Sequence, residues 1–148
     1  QINLGFSGCG KGEPAVAKAI ASLDLSVFIM DYDHNAPTVE HLKDTHEPFF
    51  KIIRKAHPNL PIIMTSMCDI WKDRDYENRS LRRDIVRQTY ENAIAAEDRH
   101  VYYIDGETLF GTANREECTV DRCHPNDLGF HRMAQKFIKF IEKNGLLK

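Results

Sequence analysis

Three short apolar runs constrain this chain most: residues 26–30 (SVFIM), 61–65 (PIIMT) and 101–104 (VYYI). They are continuous rather than alternating, the pattern of a strand covered on both faces. Between them lie segments with helical spacing. Thr38 is a good N-cap for a helix to about residue 56, with Val39, Leu42, Phe49, Ile53 and Ala56 along one side. His57-Pro58 ends it. Residues 81–96 form a further helix, with Leu81, Ile85, Tyr90, Ala93 and Ile94 facing inward. Asn126 caps a last helix to about residue 143, with Leu128, Met133, Ala134, Phe137, Ile138 and Ile141 apolar and Gly145 as its stop. At the start, residues 2–6 read as a strand entering a glycine-rich turn. Pro14 then opens a helix to about residue 23, at the first helical position, where its missing N–H is harmless. Strands alternating with helices predict a parallel sheet with helices on both faces, a three-layer α/β/α sandwich.

Size and charge narrow the function. At 148 residues, one domain with a real core is expected, since two would each be small. Lys+Arg (20) nearly balances Asp+Glu (22), which argues against a nucleic-acid or anionic-membrane partner. No apolar run approaches the ~20 residues of a membrane span, and no leader pattern opens the chain. The four cysteines, Cys9, Cys68, Cys118 and Cys123, contain no CxxC pair. Cys118 and Cys123 are close enough to bridge in an oxidising compartment, and sequence does not choose among the pairings.

In open α/β sheets ligands bind beyond the carboxyl ends of the strands. The residues there are Ser7-Gly8-Cys9, residues 31–35, residues 66–69 and Asp105-Gly106. The loop before the last helix reaches the same edge, and it carries Asp121-Arg122-Cys123-His124-Pro125. Pro125 holds His124 extended, and a turn brings Asp121 back towards it. An Asp three residues before a His can accept its Nδ1–H, fix the tautomer and leave Nε2 as a general base. The blander alternative is a turn-capping Asp beside a surface His.

Those residues resemble the SGNH hydrolases, also called GDSL-type esterases or lipases. The family's last block is Asp-x-x-His, often followed by Pro, just before the final helix, and Asp121-Arg122-Cys123-His124-Pro125 is similar to it. Its second block places a Gly after the second strand, matched by Gly8 in Asn3-Leu4-Gly5-Phe6-Ser7-Gly8. Its third block, Gly-x-Asn-Asp, survives only as Asn35 in Asp33-His34-Asn35-Ala36. The resemblance runs from Gln1 to the last helix. It implies a flavodoxin-like three-layer fold and ester hydrolysis by a Ser-His-Asp mechanism. His124 is then the base, Asp121 its orienting partner, and Gly8 N–H with the Asn35 amide the oxyanion donors. The implied substrate is a small or carbohydrate ester, and no cofactor is implied.

One block is missing. The family's nucleophile lies in Gly-Asp-Ser after the first strand, within the roughly 30 residues that the family pattern places before Gln1, and this sequence has no Gly-Asp-Ser. Of its serines, Ser22 and Ser26 flank the amino end of a strand and Ser80 reads as a helix cap. Ser7 and Ser66 lie at the right edge as stand-in candidates. The expectation is therefore a single SGNH-like domain, residues 1–148, N-terminally incomplete. Four parallel strands would either close up or leave a gap filled by a preceding segment, by self-association or by another chain.

Three alternatives accompany that expectation. The chain could bind an ester or sugar without turning it over. Gly5-Phe6-Ser7-Gly8-Cys9-Gly10-Lys11-Gly12 nearly fits a P-loop, with Val27-Phe28-Ile29-Met30-Asp31 as its magnesium strand, although Gly12 stands where a hydroxyl belongs. Cys118, Asp121, Cys123 and His124 cluster, but not at zinc spacing. Trp71 and Tyr76 read as part of a long loop lining a pocket or covering the sheet. Arg79, Arg82 and Arg83 read as a solvated helix face, and His41, His46 and His131 as surface or packing residues.

Overall fold

The structure, a computed structural model, describes residues 1–68, 71 and 75–147. Three parallel strands form the sheet in the order β1-β2-β3: β1 (Phe28–Met30), β2 (Ile62–Thr65) and β3 (Val101–Ile104). Four α-helices accompany them: α1 (Pro14–Ala21), α2 (Val39–Ala56), α3 (Tyr76–Ala95) and α4 (Asp127–Lys143).

Strand pleating explains the layers. Alternate side chains of a strand point to opposite faces. Ile62 and Met64 of β2, with Val101 and Tyr103 of β3, enter the core beneath α1, α2 and α3, beside Ala17, Ile20, Phe49, Ile53 and Val86. Ile63, Tyr102 and Ile104 point the other way, into a second core with Leu109, Phe110, Met133, Phe137 and Ile141, where α4 packs. The continuous apolar runs are thus strands with helices on both faces. The α/β three-layer arrangement is as expected.

The helix ends follow their caps. The Thr38 hydroxyl accepts the His41 N–H at 3.1 Å, and the Asn126 side chain accepts the Gly129 N–H at 3.0 Å, each meeting an orphan donor of the first turn.

Several expectations are corrected. Residues 2–6 are not a strand: their backbone joins no ladder, and Ile2, Leu4 and Phe6 are exposed. A strand needs a partner for its N–H and C=O groups, and here the local chain supplies other bonds. The Asn3 carboxamide accepts the Gly5 N–H at 2.8 Å, and the Cys9 N–H bonds to the Phe6 carbonyl at 3.0 Å. The sheet of the described residues therefore has three strands, not four. β1 pairs only with β2 and is not covered all round, since Ile29 is 38% exposed.

The third helix begins at Tyr76 instead of Leu81, so Tyr76 is helical and Ser80 lies inside the helix instead of capping it. Its buried stripe is Arg82, Val86, Thr89 and Ala93, while Leu81 and Ile94 are each 47% exposed. Polar residues on that stripe are matched by polar partners. Thr89 Oγ1 lies 2.8 Å from Nδ1 of His46, and His46 is itself buried and stacked on Tyr32. Asp69, named above at the strand ends, lies outside the described residues.

Candidate functional site

The site is assembled from three loops at the carboxyl ends of the strands. The first follows β1 as a 3-10 turn, Asp33–Asn35, closed by the Asn35 N–H on the Tyr32 carbonyl at 2.9 Å. The second leaves β2 at Ser66 and Met67. The third is the turn before α4.

That last turn is built by one carboxylate. Asp121 Oδ1 accepts the backbone N–H of Cys123 at 2.9 Å and of His124 at 2.8 Å, an Asx-type closure. Arg122 between them adopts φ 64°, the left-handed conformation that folds the turn back on itself. Asp121 Oδ2 then lies 2.6 Å from His124 Nδ1. These three contacts with His124 and Cys123 hold the Asp121 carboxyl well below the usual carboxylate range, the imidazole contact being the largest. An ionised carboxylate only accepts, so the proton of that bond sits on Nδ1. In the neutral ring Nε2 is then the acceptor, and it makes no hydrogen bond among the described residues. The His124 side chain is 82% exposed.

The turn is anchored from below. Gly129, in the first turn of α4, sits where a Cβ would lie 2.4 Å from the Cys118 carbonyl oxygen and 2.9 Å from Pro125 Cβ. The Asn126 N–H bonds to that Cys118 carbonyl at 2.9 Å. Cys118 is buried in this packing. Cys123 instead faces His34, with Sγ 3.4 Å from Nε2, and all four cysteines are free thiols.

The Cys123–His34 contact brings the His124 turn against the turn carrying Asn35. The Asn35 side chain is half-buried, and its amide donates to no group among the described residues. On the other side Arg122 lies over the Trp71 ring, 4.8 Å from its centroid. Asp121, His124 and Asn35 are thus gathered at one edge. Gly8 is not joined to them. It occupies an exposed turn with Ser7 at φ 50° and Gly8 at φ 80°, a pair of left-handed residues that glycine makes easier. No hydrogen bond links that turn to Asn35 or His124 among the described residues.

The glycine-rich segment ties down elsewhere. The Lys11 carbonyl lies 2.9 Å from His41 Nε2, and a Cβ on Gly12 would fall 2.5 Å from the Tyr32 hydroxyl. The P-loop alternative loses its basis here. No strand precedes the turn, and the Glu13 carboxylate accepts the Lys11 N–H at 2.8 Å, at the place where a phosphate oxygen would have to sit.

Ser66 does not stand in for the nucleophile. It is 1% exposed, and its Oγ accepts the Gly106 N–H at 3.0 Å. Ser7 is exposed in the N-terminal turn and meets no His.

Sequence reasoning missed the supports of this edge. Asp33 is 2% exposed, and its Oδ2 accepts the Met67 N–H at 3.1 Å, joining the β1 and β2 loops. Arg82 is 8% exposed rather than solvated. Arg83 pairs with Glu107. Together with His34, Ser66, Met67 and Arg79, these three surround a cavity of about 10 Å³, room for one water. The signal was the spacing of residues 82, 86, 89 and 93, a helical stripe hidden by its polar members.

Burial pushes the Asp33 carboxyl up to about 6, although the Met67 and His34 N–H groups and Arg82 oppose the shift. Between about pH 4.5 and 6 the folded state then holds a proton that the unfolded chain has released, so this group lowers stability as pH rises. His46 acts oppositely: burial lowers it to about 4, so the unfolded chain binds the extra proton and stability rises with pH. Asp33→Asn removes the first effect, together with the charge that helps to raise Asp31, and leaves that of His46. Urea unfolding at pH 4.5 and 6 is expected to show the variant gaining about 1.5 kcal/mol on the wild type across that window. Parallel profiles would contradict it.

Comparison with known proteins bears on the family and the fold. A profile of the GDSL-like lipase/acylhydrolase family matches residues 1–142. No match was found among curated protein sequences. Among solved structures, a protein described as a GDSL-like lipase from Bacteroides ovatus is 30% identical, with a TM-score of 0.81, over 95% of this chain and 42% of its own. The salicylyl-acyltransferase SsfX3 from a tetracycline biosynthetic pathway superposes with a TM-score of 0.76 at 22% identity, over 93% of this chain and 43% of its own. An active-site mutant of a family two carbohydrate esterase from Clostridium thermocellum, in complex with celluohexase, gives 0.66 at 15% identity over 86% of this chain and 38% of its own. The latter two show the fold alone. The chain spans about two fifths of the length of these structures. With the profile covering nearly all of it, the chain belongs to the GDSL-like lipase/acylhydrolase family.

Proposed function

We propose that this chain carries the base and oxyanion side of a serine ester hydrolase and that the nucleophile comes from outside these 148 residues. The observation that supports it most is the His124 Nδ1 contact to an ionised Asp121, 2.6 Å long, with Nε2 open to solvent. A serine attacks the ester carbonyl while His124 Nε2 takes its hydroxyl proton. The tetrahedral oxyanion accepts from the Asn35 amide and the Gly8 N–H. As the intermediate collapses, His124 returns the proton to the leaving alkoxide. Water repeats the sequence on the acyl-enzyme, releasing the acid and the free serine. Asp121 stays ionised and stabilises the imidazolium that forms twice per cycle. Short acyl esters, including those of carbohydrates, suit an open rim of polar side chains.

The incoming strand fits the open side of β1, where Ile29 is exposed and backbone groups have no ladder partner among the described residues. It would also bring the 2–8 segment to the site. A serine-directed fluorophosphonate tests the division of labour. The 148-residue chain is expected to stay unlabelled, whereas stoichiometric labelling of Ser7, Ser66 or any other serine in it would overturn the proposal.

A further inference from the structure

The turn that presents Asn35 is clamped by a side chain from another layer of the fold. Arg82, on the buried stripe of α3, sends Nη1 to the Asp33 carbonyl at 2.7 Å and to the Ala36 carbonyl at 2.9 Å. Those two carbonyls flank Asn35. Its Nε is held by Asn78 Oδ1, one helical turn away, at 2.9 Å. The guanidinium therefore has fixed geometry at both ends, as its planar fork favours. From the other side the Asp33 carboxylate grips the Met67 N–H at 3.1 Å, so the turn cannot swing away from β2.

A 3-10 turn of three residues has little stiffness of its own. The two accepted bonds convert it into a fixed arm. An oxyanion donor must be held near its productive position before the charge develops, because preorganisation is the source of its effect.

We propose that Arg82 is a positioning residue that sets the Asn35 amide for the oxyanion. This rests on the reading of Asn35 as a donor, while the clamp itself is a separate claim about order. Arg82 touches no reacting atom and acts only through the turn.

The test is ¹⁵N relaxation of the 148-residue chain, wild type against Arg82→Met and Arg82→Lys. In the wild type the backbone order parameter at Asn35 is expected near ~0.85, the rigid value. In Arg82→Met it is expected below ~0.6 at Asn35 while Ile63 and Val86 stay rigid. Arg82→Lys is expected to restore part of the loss, since one ammonium can reach one of the two carbonyls. Unchanged order at Asn35 in a folded Arg82→Met chain would overturn the clamp. Should that variant not fold, Arg82→Gln is read instead: it keeps a polar group on the stripe but removes the guanidinium that bonds both carbonyls, and an unaltered Asn35 there overturns the clamp equally. These readings do not depend on turnover, so failure of the clamp is distinguishable from failure of the esterase reading.

Discussion

Gly106→Ala is expected to destabilise the fold by on the order of 4 kcal/mol or more, the upper tail of single substitutions. Gly106 lies two residues past the last residue of β3 and packs against the end of β2. A Cβ there would lie 1.9 Å from the Met67 carbonyl oxygen and 2.2 Å from that of Ser66. Both are backbone atoms, so no rotamer change relieves the overlap. Relief requires parting β2 from β3 at the end where Ser66 Oγ accepts the Gly106 N–H at 3.0 Å. That bond would stretch, and Met67, whose N–H is held by Asp33, would move with it. For a domain of this size the loss corresponds to roughly 10 °C or more in Tm. Thermal melts followed by circular dichroism read it directly. A Tm within ~2 °C of wild type would show that the strand ends are looser than the packing implies.

Much of the architecture was legible because buried parallel strands leave a strong mark. The runs at residues 61–65 and 101–104 had to be strands, since their length and continuity suit nothing else in an α/β chain. α2 and α4 were legible for the same kind of reason: Thr38 and Asn126 cap them with a hydrogen bond each. The Asp121–His124 pair was legible because it is local, one turn closed by one carboxylate.

What was hidden depends on partners remote in sequence. Ile2, Leu4 and Phe6 alternate as a strand should, but alternation names no neighbour for their backbone. The face of α3 was misread because hydrophobicity is a proxy for burial. Arg82 and Thr89 are inside because the Asp33 and Ala36 carbonyls and His46 meet them there. Leu81 looked like core and lies at the surface. Asn35 could be found by resemblance, but its support could not. The clamp joins residues 46 and 49 positions apart.

The largest effect is expected at His124. In the proposed mechanism the Nδ1 contact to Asp121 makes Nε2 the base, while His34 at the same edge faces Cys123. His41 and His46 are committed to Lys11 and Thr89 in the α2 layer. On that proposal, removing the imidazole leaves the serine without a proton acceptor. The proposed oxyanion donors would retain only their own share of the acceleration. The decisive measurement is the rate at which the protein, at its natural length, hydrolyses a short acyl ester, wild type against His124→Ala. A fall of about 10⁴-fold or more in kcat, with the fold intact, is predicted. A rate within about twofold of wild type would contradict His124 as the base, and with it the proposed esterase mechanism.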